Sequence, residues 1–221
     1  MEEKEKIRID YFTTASFDVD CQKGFTPLCP DELPVPGGDE IVIELNKQNA
    51  FCMLRVGSKD VHPSNAVWIA TEEHPQFSSL DFLDANIAWK PHCMSGTMGA
   101  ELLDGLPKVR DYSFFVFKGV EPDLHPFSPI YHCLQKRLST GVIEFLKSKN
   151  IKTVIVGGLA LNYCAGDCAL DLKSAGFEVI FNLAASRGIG SPEEIDAYVQ
   201  KMRDAGIIII DSCEDLINGG N

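Results

Sequence analysis

The sequence lacks any apolar run long enough to span a bilayer, which takes about 20 residues. It is also poor in basic residues, because 20 Lys and Arg stand against 32 Asp and Glu and give a formal net charge of −12 at pH 7. Nucleic acids and anionic membrane surfaces favour clustered Lys and Arg. The composition therefore argues against both of these partners and favours a small-molecule partner.

The start of the chain, Met1-Glu-Glu-Lys-Glu-Lys, is charged and lacks the apolar core of a secretory signal. The eight Cys residues are scattered, and no pair of C-x-x-C elements is present, so neither a disulfide scaffold nor a thiolate zinc cluster is favoured. We expect a soluble cytoplasmic protein with reduced, mostly buried thiols. The sequence is compatible with a homo-oligomer.

Short apolar runs alternate with amphipathic stretches along the chain, and Gly57 is predicted to close the second run. The runs predict strands at 15–19, 52–56, 114–117, 153–156, 178–181 and 207–210. Helices are predicted from Asp39, from Tyr131 to Lys149, from Tyr163 and from Ser191. Because the strands are apolar throughout, helices should cover both faces of a parallel sheet. We predict one α/β domain over residues 1–221, a three-layer αβα structure with a doubly wound, six-stranded parallel sheet.

Candidate reactive residues follow the carboxyl ends of predicted strands, the edge at which open parallel sheets bind ligands. Cys164 lies where a strand turns into a helix, and a helix N-terminus lowers the pKa of a thiol and can hold an oxyanion on its amides. Asp20 is placed to accept the thiol proton, and the Lys118 ammonium should depress the pKa of both groups. This combination is typical of amide hydrolysis.

The segment Asp60-Val61-His62 offers two metal ligands, because residues two apart point to the same side of an extended chain. The long irregular stretch 60–110 offers His92 as a third ligand, which leaves coordination positions open for water or substrate. Zinc is the default divalent metal for this set, with iron and manganese open. The other histidines have no comparable partners and are interpreted as surface or loop residues: His74, His125 and His132.

Five segments within roughly residues 15 to 215 occur in the order of motifs known from one family. They are Asp20-Cys-Gln-Lys-Gly-Phe25, Ser58-Lys-Asp-Val-His-Pro63, the run from Trp89 to Ala100, Lys118-Gly119, and Gly158-Leu-Ala-Leu-Asn-Tyr-Cys164. The chain thereby resembles the isochorismatase-like cysteine hydrolases, and within them the metal-dependent nicotinamidases. The resemblance implies deamidation of nicotinamide to nicotinate and ammonia through a Cys thioester.

The resemblance also implies roles for single residues. Cys164 would be the nucleophile, Asp20 the proton acceptor and later donor, and Lys118 the charge partner. Asp60, His62 and His92 would hold the metal, which anchors the pyridine nitrogen of the substrate. The Leu159-Ala160 peptide would be cis, and the Ala160 and Cys164 amides would form the oxyanion hole. Substrate contacts would come from Phe25, Trp89 and Leu159.

Some positions depart from the family pattern, namely Val61, Ala66, Lys90, Leu161 and Asn162. Val61, Lys90 and Leu161 keep a second function open, in which a related hydrolase acts on a different small amide or carbamoyl compound. A non-catalytic module that binds only a metal or a ligand is a third interpretation, disfavoured by the intact Cys164. A thiol redox protein is disfavoured because Cys168 lies one helical turn away from Cys164. Isochorismate hydrolysis is disfavoured as the function, because hydrolases of that branch need neither the nucleophilic Cys nor the metal.

Overall fold

The apolar runs of the sequence form the strands of one six-stranded sheet in the computed structural model, which describes residues 5–219. In chain order, the strands of the whole structure are β1 (Ile7–Ile9), β2 (Thr14–Val19), β3 (Leu54–Asp60), β4 (Phe114–Lys118), β5 (Thr153–Leu159), β6 (Glu178–Arg187), β7 (Ile208–Ile210) and β8 (Leu216–Asn218). The six-stranded sheet consists of β2 to β7. The α-helices are α1 (Val42–Asn49), α2 (Val142–Ser148), α3 (Gly166–Ser174) and α4 (Pro192–Asp204).

The sheet has the strand order β4-β3-β2-β5-β6-β7, and every neighbouring pair is parallel. Phe17 of β2 lies opposite Val56 of β3 on one side and Val156 of β5 on the other. The chain runs outward from β2 to β4 and then returns to place β5 on the other side of β2. This reversal between β2 and β5 confirms the predicted doubly wound sheet and creates a switch point at its carboxyl edge.

Helices cover both faces of the sheet, as the apolar strands predicted. Val154 and Val156 of β5 belong to a core cluster that includes Leu146 of α2, Leu172 of α3 and Met202 of α4. Helix α1 packs on the opposite face against β2, β5 and β6. Burial on both sides explains why these strands are apolar throughout instead of alternating.

Strand β3 does not end at Gly57, so the prediction of a strand end there is wrong. The strand continues to Asp60, with Gly57 paired to Asp18 of β2 and Phe115 of β4. A Cβ at Gly57 would lie 2.6 Å from the Phe115 ring and 2.7 Å from the Tyr112 ring. The glycine therefore makes room for two aromatic side chains and does not terminate the strand.

The helix predicted over Tyr131–Lys149 is much shorter in the structure, where α2 begins at Val142. Gly141 precedes α2 with a φ of 88°, and the Thr140 hydroxyl donates to the carbonyls of Pro129 and Ile130. These local bonds hold the preceding segment in a loop, where Tyr131 bridges to Ser139. Apolar residues in that loop had suggested the first turns of a helix.

One smaller departure concerns the ends of the chain, whereas the long irregular stretch agrees with its prediction. Strands β1 and β8 pair in a separate two-stranded sheet. The sequence analysis did not predict these strands, which are only three residues long. The stretch after Asp60 is irregular as predicted, with 3-10 turns at Met98–Ala100 and Val109–Asp111. Within residues 5–219, no helix has the length and apolar character that a membrane crossing requires. All eight Cys residues are buried free thiols.

Candidate active site

Three predicted reactive side chains meet where β2, β4 and β5 end, and we call Asp20, Lys118 and Cys164 the reactive trio. The Lys118 Nζ atom lies 3.1 Å from Asp20 Oδ2 and 3.7 Å from Cys164 Sγ. All three side chains are buried, with the Lys118 residue only 1% exposed. Because a buried lysine needs a charged partner, this arrangement indicates that Lys118 belongs to a buried ion-pair site and is not a solvated surface residue.

Each member of the trio is held by neighbours on the sheet edge. Asp20 has a φ of 47° directly after β2, and its Oδ1 accepts a 2.6 Å hydrogen bond from Ser58 Oγ. Lys118 Nζ donates to Asp60 Oδ1 at 2.6 Å and to the Pro126 carbonyl at 3.1 Å. A left-handed φ is costly for a residue other than glycine, so the surrounding contacts must fix the Asp20 carboxylate in place.

The turn that presents Cys164 is also fixed by its backbone. The Leu159-Ala160 peptide is cis, and the Ala160 carbonyl accepts hydrogen bonds from the N–H groups of Tyr163 and Ala165. A π-type turn over Leu161–Ala165 then leads into α3 at Gly166. Cys164 therefore sits just before the first residue of a helix, close to where the sequence predicted it.

Burial sets the pKa values of Asp20 and Cys164 against the expected direction. It raises the pKa of Asp20 to about 6 and the pKa of the Cys164 thiol well above its ordinary value, although Lys118 lowers both. The prediction that these pKa values are depressed is therefore wrong. A Cys164 thiolate would also be a third anion beside Asp20 and Asp60. At neutral pH the site thus pairs an ionised Asp20 carboxylate with a protonated thiol.

Three imidazoles lie next to the trio, and we call His62, His92 and His125 the imidazole cluster. One ring nitrogen from each lies within 4.8 Å of the others, and all three residues are buried. Burial lowers the pKa of His92 to about 3 and that of His125 well below its ordinary value. These two rings are therefore neutral at pH 7, the form that can bind a metal ion.

The residues predicted to bind a metal fit that role. His62 Nδ1 lies 3.0 Å from the Gly119 carbonyl and His92 Nδ1 lies 2.7 Å from the Lys90 carbonyl, which leaves both Nε2 atoms for a ligand. His62 Nε2 is buried without a hydrogen-bond partner among the described residues and lies 3.5 Å from Asp60 Oδ1.

Charge supports the same interpretation. The buried carboxylates of Asp20 and Asp60 share one buried ammonium, Lys118, with which both form ion pairs. One negative charge is left without a cationic partner among these three groups. Since an isolated buried charge is costly, a bound divalent cation would suit the site.

A cleft lined by residues of both groups connects the trio and the imidazole cluster. Its lining includes Cys164, Lys118, Ala160 and His92 together with four aromatic rings, Phe25, Trp89, Phe127 and Tyr163. Trp89 makes edge contacts with Tyr163 at 5.4 Å and with Phe127 at 5.9 Å between ring centroids. The narrow, aromatic space suits a flat ring.

Of the three residues predicted to contact substrate, two line the cleft and one lies in the core. Phe25 and Trp89 line the cleft, at 4% exposure each. Leu159 is completely buried in a core cluster with Leu45 and Ala185 and is not among the residues that line the cleft. The sequence could not show that Leu159 lies in the core, because Leu159 is the last residue of β5 and the next residue, Ala160, lines the cleft.

Sequence reasoning missed three residues of the site. His125 was interpreted as a surface or loop residue without comparable partners. It does lie on a loop, but it is 5% exposed and belongs to the imidazole cluster, so the expected lack of partners is wrong. Gln22 pairs with the Asp60 backbone, donating to its carbonyl and accepting from its N–H at 2.7 Å. Ser58 contacts Asp20. Signals existed for Gln22, within the first motif, and for Ser58, two residues before Asp60 on the same strand face.

Comparisons with known proteins show which family the chain is similar to. The isochorismatase domain model matches residues 14–214. The nicotinamidase of Acinetobacter baylyi is 27% identical over 202 residues, covering 90% of this chain and 92% of that protein. A solved nicotinamidase and pyrazinamidase from Acinetobacter baumannii has a TM-score of 0.84 at 27% identity, covering 93% and 99% of the two chains. The pyrazinamidase of Pyrococcus horikoshii in complex with zinc has a TM-score of 0.72 at 28% identity, covering 90% and 98%.

Proposed function

Because the chain belongs to the isochorismatase domain family, we propose that it hydrolyses the carboxamide of nicotinamide to nicotinate and ammonia. The observation that carries this proposal is the Cys164 thiol, which lines an aromatic cleft 3.7 Å from Lys118 Nζ, itself 3.1 Å from Asp20. Curated relatives named nicotinamidase, which match nearly their full length, support the choice of substrate.

The first step is attack by sulfur on the amide carbon. Asp20 accepts the Cys164 proton as the C–S bond forms, so a thiolate need not exist beforehand. A carboxylate with a pKa of about 6 suits this role, since it is ionised at neutral pH but still basic. Lys118 stays between the Asp20 carboxylate and the sulfur and stabilises the negative charge that moves between them.

The second step breaks the C–N bond. We assign the oxyanion of the tetrahedral intermediate to the backbone amides of Ala160 and Cys164, because both residues line the cleft beside the sulfur. Asp20 returns its proton to the leaving nitrogen, and ammonia departs. Asp20 then deprotonates a water molecule that attacks the thioester, which releases nicotinate and restores the Cys164 thiol.

We assign a divalent metal to Asp60, His62 and His92, with zinc as the first choice and iron or manganese as alternatives. When bound, such an ion supplies an open coordination position for a ring nitrogen and a positive charge beside the buried carboxylates. Phe25 and Trp89 bind the two sides of the flat substrate from the cleft walls.

A substrate panel tests the proposal. Metal-free protein is reloaded separately with zinc, manganese or iron, and ammonia release is measured from nicotinamide, pyrazinamide and the aliphatic isobutyramide. We expect turnover of the aromatic amides, with kcat/KM for isobutyramide at least about 100-fold lower, because the aliphatic amide lacks a ring nitrogen and a flat face. Absence of turnover on both aromatic amides at full metal loading would overturn the proposal.

A further inference from the structure

His125 is the one member of the imidazole cluster whose role is open. It lies in the irregular segment between β4 and α2, far in sequence from His62 and His92. Its side chain is buried, and it lines the cleft next to Asp60 and His92. Its ring centroid lies 5.3 Å from that of His62 and 5.7 Å from that of His92.

The spacing of the ring nitrogens matches a shared ion. Donor atoms 2.0–2.1 Å from one metal ion lie about 3.4 Å apart at a tetrahedral angle and about 4.2 Å apart on opposite sides of an octahedron. The three imidazole nitrogens fall within 4.8 Å of one another, and His62 Nε2 lies 3.5 Å from Asp60 Oδ1. The three imidazole nitrogens are therefore close to the separation that one shared ion requires, and Asp60 Oδ1 lies at such a separation from His62 Nε2.

The backbone around His125 is held from both sides. The His125 N–H donates to the Asp84 carbonyl at 2.8 Å, while the carbonyl of the next residue, Pro126, accepts from Lys118 Nζ at 3.1 Å. The Asp84 carboxylate is itself bound by the Gln135 N–H and by Arg137. His125 is thus connected through hydrogen bonds to the same lysine that joins Asp20 and Asp60.

Packing also fixes the plane of the ring. The buried Trp68 indole lies 4.3 Å from the His125 ring and 4.5 Å from the His62 ring, measured between centroids. One aromatic wall therefore orients two imidazoles toward a common space. A ring that is buried, oriented and near two other imidazole donors has the features of a ligand held in place by its surroundings.

We propose that His125 is a fourth protein ligand of the divalent ion, together with Asp60, His62 and His92. The proposal rests on the metal site of the proposed function and adds one consequence to it. Four protein ligands close a tetrahedral site, so the ion must take five or six ligands to keep a position for the ring nitrogen of the substrate.

A crystal structure of the zinc-loaded full chain, with the ion placed by anomalous scattering, tests the proposal directly. We expect a His125 ring nitrogen within about 2.3 Å of the ion. A distance beyond about 3 Å with the ion bound by Asp60, His62 and His92 would overturn the proposal but leave the metal site of the proposed function intact.

Zinc affinity, measured by competition with a chromophoric chelator, gives a second readout. His125→Phe keeps a ring against Trp68 but removes the donor, and we expect at least about 10-fold weaker binding. The exposed His74 provides the matched control, and His74→Phe should bind zinc like the wild type. Circular dichroism verifies that both variants are folded.

The outcomes separate the two proposals. Wild-type affinity in folded His125→Phe, with weak binding in His62→Ala, would overturn only the fourth ligand. Wild-type affinity in His62→Ala and His92→Ala as well would overturn the metal site on which the proposed function depends.

Discussion

The reactive trio and the imidazole cluster each contribute two residues to the lining of one cleft but are built in different ways. The trio sits at or just beyond the ends of β2, β4 and β5, so the parallel register of the sheet sets its spacing. The cluster lies on irregular segments after β3 and β4, where the rings are positioned by backbone carbonyls and by Trp68.

The difference shows how the two halves of the site can vary. The positions of the trio are tied to hydrogen bonds of the whole sheet, which local changes do not move. The cluster depends on a few contacts within loops, and loops tolerate substitution more readily than the strands they connect. Perturbations should therefore separate chemistry at the sheet edge from metal binding in the loops.

The largest separation is expected from Cys164→Ala. Removal of the nucleophile should lower kcat by at least about 1,000-fold, because no other thiol lines the cleft. Zinc affinity should stay within about two-fold of the wild type, since the cluster does not use the sulfur. Cys168→Ala, one helical turn later and also buried, is the matched control and should keep its activity. Equal activity in both variants would place the chemistry elsewhere.

The complementary experiment uses Gly119→Ala, which perturbs the imidazole cluster instead of the reactive trio. Gly119 has a φ of 66°, and a Cβ there would lie 2.3 Å from His62 Cε1. We expect at least about 10-fold weaker zinc binding, because the His62 ring must move. Gly176→Ala is the control, since Gly176 has a φ of 93° and, its two chain neighbours aside, no other residue within 5–219 has an atom within 4 Å of an added Cβ.

Both glycine variants should lose about 1–2 kcal/mol of unfolding free energy from the left-handed backbone, measured by urea denaturation. Only Gly119→Ala should lose zinc affinity. Equal affinity in the two variants would show that the position of the His62 ring is not set by the absence of a side chain at position 119.

The same contrast explains what could be predicted from the sequence. Asp20, Lys118 and Cys164 follow apolar runs, and parallel strands end at one edge, so periodicity alone brings the trio together. His125 follows β4 by seven residues of loop, and its partners lie on other loops. No periodic pattern relates such positions, because their contacts arise only after the segments have packed.

The pKa values were unpredictable for a related reason. The position of Cys164 before a helix was visible in the sequence and suggested a depressed thiol pKa. The opposing desolvation depends on how completely the folded cleft encloses the sulfur, and the charges of Asp20 and Asp60 raise the thiol pKa further. Similarly, the short α2 depends on hydrogen bonds from Thr140 that compete with helix formation, which hydrophobic spacing does not report.

The pH dependence tests the sheet-edge half of the comparison with a smaller effect. Asp20 must be ionised to accept the thiol proton, and burial raises its pKa to about 6. Activity should therefore be retained at pH 7 and should fall about tenfold for each pH unit below about 6. The measurement is kcat/KM for nicotinamide from pH 4.5 to 8, with zinc occupancy followed in parallel so that loss of metal is not mistaken for protonation. Unchanged kcat/KM down to about pH 4.5 at full occupancy would contradict a raised pKa.

The smallest expected effect comes from Ser58→Ala, which modifies the same limb. The Ser58 hydroxyl donates to Asp20 Oδ1 at 2.6 Å and lowers the carboxyl pKa, opposing the effect of burial. Its removal should move the acid limb upward by about one pH unit or less and cost about 1–2 kcal/mol of unfolding free energy. Ser78→Ala is the control, because the buried Ser78 hydroxyl has no hydrogen-bond partner among the described residues. An unmoved limb in Ser58→Ala would mean that another group sets it, whereas an upward shift with unchanged zinc affinity would place the proton acceptor at the sheet edge and separate it from the cluster.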